Sequence, residues 1–265
     1  MALFIDIETS GFPNSQGLPY GEYPSYEVIE KYNNSRIVQI SAMLCNNKFD
    51  IIVQKDTIIK SDGFKITNSQ IHHITDEISE KSGIVFNTAI LEFYELIKQA
   101  SHIFAHNSNF DINILKSELF RAGLHNIIEE INKKSIVCTM KHTKNIVKIC
   151  NSYGIKDPKL SELYTCVTRK PMVSAHNAKY DVIHLHEAIK KLFDTNKLNF
   201  TETIILQEPS SIIETIPENI LETVPDYSKF KLTELHQKCK DLGITGYSKL
   251  PKAKLIEKLQ ANNLI

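Results

Sequence analysis

What the sequence lacks removes several classes of protein at once. Its five cysteines (Cys45, Cys138, Cys150, Cys166 and Cys239) form no CxxC pair, and no Cys/His cluster has the spacing of a zinc site. Free thiols in a reducing compartment are therefore expected. No apolar run approaches the roughly 18 residues needed to span a bilayer. No basic segment, apolar segment and cleavage site follow one another after Met1. These gaps predict a soluble intracellular protein, cytoplasmic or nuclear and not secreted, with no membrane partner. Net charge is missing too: 31 basic residues balance 31 acidic ones, so the whole-chain charge says nothing about binding a polyanion.

That balance hides a division. Residues 226–265 carry eight lysines against four acids, whereas residues 207–225 carry four glutamates and no lysine or arginine. The second stretch, rich in Pro, Glu and Ser, reads as an acidic linker between a domain over 1–206 and a small unit over 226–265. Forty residues with two short helical patterns (Leu232, Leu235, Cys239 and Leu255, Ile256, Leu259) bury little area, so that unit is expected to be marginally stable.

Within the first domain, Ala2–Ile7 is an apolar run interrupted by Asp6 and reads as a central strand. Residues Gly11–Ser35, punctuated by Pro13, Pro19 and Pro24, read as a long excursion. Arg36–Cys45 and Lys48–Gln54 predict a hairpin turning at Asn46-Asn47. Helical spacing follows at Val85, Ala89, Phe93 and Leu96-Ile97, then a strand at His102–Ala105, and a helix marked by Ile112, Leu115 and Leu119. Ser135–Thr139 reads as a strand, Asn145–Asn151 as part of a helix and Asp181–Phe193 as a helix. Strands first, then alternating helices and strands, predict an α/β fold with helices packed on a mixed sheet.

The chemistry lies in acidic residues. Asp6 and Glu8, two apart on a strand, point to one side as the chain leaves the sheet. Such a pair is unfavourable unless a cation neutralises it, and hard Mg²⁺ or Mn²⁺ prefers oxygen ligands. Two further segments, Ala105–Asp111 and Ala175–Asp181, both read AHNxx(F/Y)D and both lead into helices. A helix-start role for the aspartate explains either one alone. It does not explain the repeated His, Asn, aromatic and Asp.

Asp6 with Glu8, then Asp111, then His176 with Asp181, resemble the three ordered motifs of the DEDD exonuclease superfamily, in its DnaQ-like subgroup with histidine in the third motif. Phe4-Ile5-Asp6-Ile7-Glu8-Thr9-Ser10-Gly11 is similar to the first motif. Ile71-His72-His73-Ile74-Thr75 resembles the family's IHGIT segment, with His73 where glycine is commoner, and Lys159–Tyr164 fits as well. The resemblance covers about Leu3–Leu192. It implies a ribonuclease-H-like fold and 3′→5′ hydrolysis assisted by two divalent ions, Mg²⁺ or Mn²⁺. Asp6 is then the bridging ligand, Glu8, Asp111 and Asp181 complete the set, and His176 is the general base. Thr9, Ser10 and Gly11 are expected to seat the terminal nucleotide. Phe110 and Tyr180 are expected to pack beneath the site, Phe110 with some chance of touching a base. His106, at the equivalent offset before Asp111, reads as a positioning or structural residue, and His72, His73, His102 and His142 as structural or surface residues. The excursion over Gly11–Ser35 departs from the short turn usual in the family.

Phe230–Leu259 resembles a SAP motif, a small helical nucleic-acid-binding module. Lys249, Lys252 and Lys254 surround a turn and a helix start, a placement suited to backbone phosphates. The partner expected is nucleic acid with a free 3′ end and a duplex or structured portion. DNA is favoured narrowly over RNA. An exoribonuclease acting on structured RNA, a catalytically inactive scaffold and a hydrolase of another phosphate ester remain as alternatives.

Overall fold

The structure, a computed structural model, describes residues 1–198 together with 231–233, 235–236, 250–252 and 254–255. Its element order is β1 (Ala2–Thr9), a short 3₁₀ turn (Ile29–Tyr32), β2 (Ile37–Cys45), β3 (Ile51–Ile58), α1 (Ser69–His72), α2 (Asp76–Ser82), α3 (Phe86–Gln99) and β4 (His102–Ala105). There follow α4 (Ser108–Arg121), α5 (His125–Asn132), β5 (Ser135–Cys138), α6 (Thr139–Val147), β6 (Cys150–Asn151), β7 (Gly154–Ile155), α7 (Leu160–Thr168) and α8 (Ala178–Asp194). Five strands form one mixed sheet in the order β3-β2-β1-β4-β5. The first three pair antiparallel, and β1-β4 and β4-β5 pair parallel. Helices cover both faces, the arrangement of a ribonuclease-H-like fold.

Alternation along β1 sorts the two cores. Leu3, Ile5 and Ile7 face a cluster completed by Ile90, Phe93, Leu115 and Leu119 from α3 and α4. Ala2 and Phe4 face the other way, against Leu163 of α7 and Val182, Leu185 and Ile189 of α8. Phe4 stacks on Phe104 at 4.9 Å between ring centroids. Asp6 and Glu8 continue the even-numbered side, so both leave the sheet on the side that α8 covers.

The sheet is also where the site opens. Strand β4 pairs with β1 only over Ala2–Phe4, then turns into α4. The last residues of β1 therefore lose a neighbour on one side, leaving a crevice beyond the carboxyl ends of parallel strands, the usual ligand position in such sheets.

Several boundaries differ from those expected, and two elements differ most. Strand β3 begins at Ile51, because Asn46 organises a longer turn: its Oδ1 accepts the Lys48 and Asp50 N–H groups at 2.8 and 2.9 Å. The helix expected over Asn145–Asn151 instead runs over Thr139–Val147. It ends at Lys148 in the left-handed region (φ 51°), and Cys150-Asn151 belongs to a small hairpin turned by Gly154 (φ 110°).

The Gly11–Ser35 excursion is tied down despite its near lack of regular structure. Asn14 N–H donates to the Lys31 carbonyl at 2.7 Å, and the buried Tyr32 donates its hydroxyl to the Pro24 carbonyl at 2.6 Å. Arg121 of α4 donates to the Ile29 carbonyl and to Asn33 Oδ1 at 2.9 and 3.0 Å. Gly11 is required at its root. A Cβ there would lie 2.4 Å from the Asn34 carbonyl oxygen.

By contacts the chain divides into units over Met1–Leu206 and Gln207–Ile265. In the second unit, Leu235 and Leu255 are buried and Leu232 is 45 % exposed. Lys252 and Lys254 are exposed residues in helical turns. Lys249, the expected 207–225 linker and most of the SAP-like segment lie outside the described residues, and no separate module of that kind is identified. Four cysteines, Cys45, Cys138, Cys150 and Cys166, are free, and Cys239 lies outside the described residues. Among the described residues no helix is long and apolar enough to cross a membrane.

Candidate active site

Three separate elements bring carboxylates to the crevice. Asp6 and Glu8 come from β1. Asp111 lies in the first turn of α4, and Asp181 in the first turn of α8. Asp111 Oδ1 accepts the N–H of Ile7 at 3.3 Å, the donor that β4 leaves open when it turns away. Asp181 is set by two contacts. Gln39 Oε1, from β2, accepts the Ala178 N–H at 3.2 Å and pins the start of α8. The His176 N–H donates to Asp181 Oδ2, also at 3.2 Å. Oxygens of Asp6, Glu8 and Asp181 all lie within 4.8 Å of one another.

Four carboxylates in so little space cannot all ionise at ordinary pH without a counter-charge. Burial, then the charges of Asp111, Asp181 and Glu8, push the Asp6 carboxyl well above the carboxylate range. Asp111 rises for the same reasons, burial first, against the opposing pull of backbone N–H donors. Glu8 is pushed up to about 8 by burial and Asp181, and Asp181 to about 7 by burial. Asp181 Oδ1 is buried with no hydrogen-bond partner among the described residues. An all-oxygen donor set with an orphaned carboxylate oxygen fits a hard divalent cation, which would return these groups to their ionised forms.

The two AHN segments fold differently, and the difference separates the two histidines. In the first, Asn107 takes the left-handed conformation (φ 69°). The His106 ring then turns inward, its Nδ1 meeting Thr139 Oγ1 at 3.1 Å and its Nε2 the Pro158 carbonyl at 2.9 Å. Burial lowers its pKa to about 4, so it stays neutral and fixed. In the second, His176 itself is left-handed (φ 64°) and Asn177 extended. The His176 ring is exposed and lines the cleft.

The cleft holds about 350 Å³. Asp6, Glu8, Asp111 and Asp181 line it with His176, Thr9 and Phe110. Thr9 is buried with its hydroxyl donated to the Gly11 carbonyl at 2.7 Å. Ser10 and Gly11 line a neighbouring concavity instead, shared with Phe64 and Lys65. Tyr180 does not pack beneath the site; it is 42 % exposed, because its position on α8 turns away from the sheet.

Several cleft residues escape sequence reasoning. Phe12 and Tyr23 reach the cleft from the excursion, whose irregular pattern hides their direction. His72, expected to be structural or on the surface, is buried in the cleft wall. Its Nδ1 accepts the Ile74 N–H at 3.1 Å, and its Nε2 is buried with no hydrogen-bond partner among the described residues. Its place in the Ile71–Thr75 motif was the available signal.

The sheet order and the helices on both faces are those of a ribonuclease-H-like fold, and the acid cluster at its strand ends is suited to a divalent metal. The family described as exonuclease, of the RNase T type, matches residues 3–188, and the chain belongs to that family. Among solved structures, Escherichia coli exonuclease I in complex with a dT13 oligonucleotide is 17 % identical, with a TM-score of 0.55 over 72 % of this chain and 40 % of that one. An exonuclease I from Methylocaldum szegediense is 15 % identical, with a TM-score of 0.56 over 74 % and 41 %. The chain thus spans about two-fifths of those proteins. Exonuclease X in complex with 5′ overhanging duplex DNA is 20 % identical, with a TM-score of 0.47 over 75 % and 95 %. No curated protein matches by sequence.

Proposed function

We propose that the chain hydrolyses phosphodiester bonds from the 3′ ends of nucleic acid, releasing nucleoside 5′-monophosphates, with DNA narrowly preferred over RNA. The observation that carries this reading is the convergence of Asp6, Glu8, Asp111, Asp181 and His176 on one cleft. Asp6, whose oxygens lie near those of Glu8 and Asp181, would hold the ions with them, and Asp111, on the same cleft, would complete the ligand set. Bound Mg²⁺ or Mn²⁺, two ions per site, supply Lewis-acid polarisation of the phosphate and neutralise charge on the leaving oxygen.

The chain's own residues do the rest. A ring nitrogen of His176 accepts the proton of the attacking water, whose oxygen bonds to phosphorus as the P–O3′ bond breaks. The phosphate therefore stays with the 5′ oxygen of the released nucleotide. The backbone link from His176 N–H to Asp181 couples the position of the base to that of a ligand. His106, with both ring nitrogens occupied, keeps the turn before Asp111 in shape. Thr9 borders the terminal nucleotide and Phe110 meets its base, while Ser10 and Gly11 shape the neighbouring concavity.

Preference for DNA rests on the SAP-like resemblance of Phe230–Leu259, and the dT13 ligand of the exonuclease I neighbour supports it. In this reading residues 1–206 form the nuclease, 207–225 a linker and 226–265 a module whose Lys249, Lys252 and Lys254 hold backbone phosphates of a duplex or structured portion.

The test is release of 5′-mononucleotides from 5′-labelled single-stranded, recessed and stem-loop DNA and RNA. Magnesium-dependent release that disappears in Asp6→Ala and His176→Ala supports the reading. A wild type that orders metal yet releases nothing from any of these substrates refutes it. Faster cleavage of every RNA form reverses the DNA preference.

A further inference from the structure

The excursion between Gly11 and Ser35 changes what the cleft can admit. Its anchored path carries Tyr23 and Phe12 to the same wall as Phe110 of α4. Tyr23 meets the Phe110 ring edge-on at 5.9 Å between centroids, and Phe12 meets it at 5.8 Å. Asn109 beside them donates to the Gly21 carbonyl at 3.4 Å, fastening the excursion to the start of α4. One wall of the cleft is thus three aromatic rings from two distant segments, with the acid cluster next to it.

The three rings are not equivalent. Phe12 is 68 % exposed at the rim. Tyr23 is half-buried, its phenol beside the Asn107 side chain and within reach of the Asp111 charge. The volume, about 350 Å³, lies near the lower end of the range of about 300–1,000 Å³ for sites enclosing one small ligand. That is on the order of the space one nucleotide needs. A nucleobase offers a flat π-face whatever its identity, and aromatic walls recognise it by stacking without reading sequence.

We infer that the Gly11–Ser35 excursion is a specificity element that restricts the enzyme to an unpaired 3′-terminal nucleotide, with Tyr23 as the residue that positions its base. The inference rests on the exonuclease reading and names the substrate form that the site takes. An aligned 3′ end must leave its complementary strand before its phosphate reaches Asp111 and Asp181. The ring of Tyr23 stacks on a free terminal base and stands in the way of a paired one, and its hydroxyl, next to Asn107, fixes the angle of the ring.

The experiment uses the full chain and an oligodeoxythymidylate ending in 2-aminopurine, with a phosphorothioate at the last linkage to slow hydrolysis. The chain has no tryptophan, so no indole emission competes with the probe. Stacking quenches 2-aminopurine, and binding is followed independently by anisotropy of a 5′ label. The wild type is expected to quench the terminal probe and to leave the same probe several nucleotides inward bright. Tyr23→Ala should abolish the quench and raise KM for single-stranded DNA about tenfold, within the range base–aromatic stacking spans. Its kcat should stay within about twofold, and the ratio of single-strand to blunt-duplex activity should fall about tenfold. Tyr23→Phe, which keeps the ring, should restore the quench. A terminal probe that stays bright in bound wild type overturns the inference. So does a Tyr23→Ala chain, folded by its melting temperature, whose substrate ratio matches wild type. Binding and quench without release of nucleotide refute the exonuclease reading alone, whereas a wild type that binds no 3′-ended strand refutes both.

Discussion

Removing metal should make the stability of the nuclease domain fall as pH rises, the reverse of most acid-rich proteins. Asp181 is 8 % exposed and protonates at about 7 instead of 3.8, because burial disfavours its charged form. Glu8 moves in the same direction, to about 8. A carboxyl whose pKa is raised on folding binds more protons in the native than in the unfolded state over the interval between the two values. Stability is then intact below the unfolded pKa, near 4, and is lost as pH climbs through about 7–8. For Asp181 alone the loss is about 4 kcal/mol once pH exceeds its native value. About 3 kcal/mol of this is lost between about pH 5 and about pH 8.5, and in a domain of this size each kcal/mol moves Tm by about 2–4 °C, so the metal-free protein should melt about 6–12 °C lower at about pH 8.5 than at about pH 5. Saturating Mg²⁺ binds only the native state and should reverse the fall, with a stabilisation that grows with pH. Melting curves followed by circular dichroism, with chelator and with Mg²⁺, read both slopes. Asp181→Asn should make the chelated curve shallower, with Glu8 still contributing a slope, and weaken the magnesium effect. A chelated Tm that is level or rising across this interval, or an Asn variant with the wild-type slope, would refute the reasoning.

Three further outcomes follow from other contacts. His176→Ala should lower kcat by about 10²–10⁴ while the magnesium-induced rise in Tm persists, because in the proposed mechanism the side chain moves a proton and holds no ion; single-turnover kinetics beside melting curves separate the two. Glu118→Ala should cost about 3–5 kcal/mol, because it leaves Arg36 partly buried over Phe64 without its carboxylate, and urea denaturation would measure it. Gly11→Ala forces a Cβ against the Asn34 carbonyl, so the excursion should become open to limited proteolysis between residues 12 and 35. An excursion equally resistant in the variant would show that its root tolerates the shift.

Much of this site could be read before any coordinates, for a physical reason. Asp6, Glu8, Asp111 and Asp181 each sit at the end of a strand or in the first turn of a helix, positions that local pattern marks well. The offset of five residues from His176 to Asp181 likewise survives any detail of the fold. The excursion resisted reading because neither period governs it; the directions of Tyr23 and Phe12 are set by contacts with α4, a hundred residues away. Local chemistry could also not foresee that two nearly identical AHN segments would place their left-handed residue one position apart. That single displacement turns His106 into the fold and His176 toward the cleft. His73 shows the converse: its φ of 62° at the end of α1 explains why glycine is commoner there in the family it resembles.

The carboxylates that meet in the crevice are spread across 175 residues, and the last to arrive rides on α8, which also supplies the apolar cover for the second face of β1. During synthesis the ribosome releases Asp6, Glu8 and Asp111 long before Asp181 and His176. A chain interrupted anywhere in between has neither its fourth acid nor its proton acceptor, and one face of its central strand lies bare. In the proposed reading, completion of the domain and completion of its active site are therefore a single event.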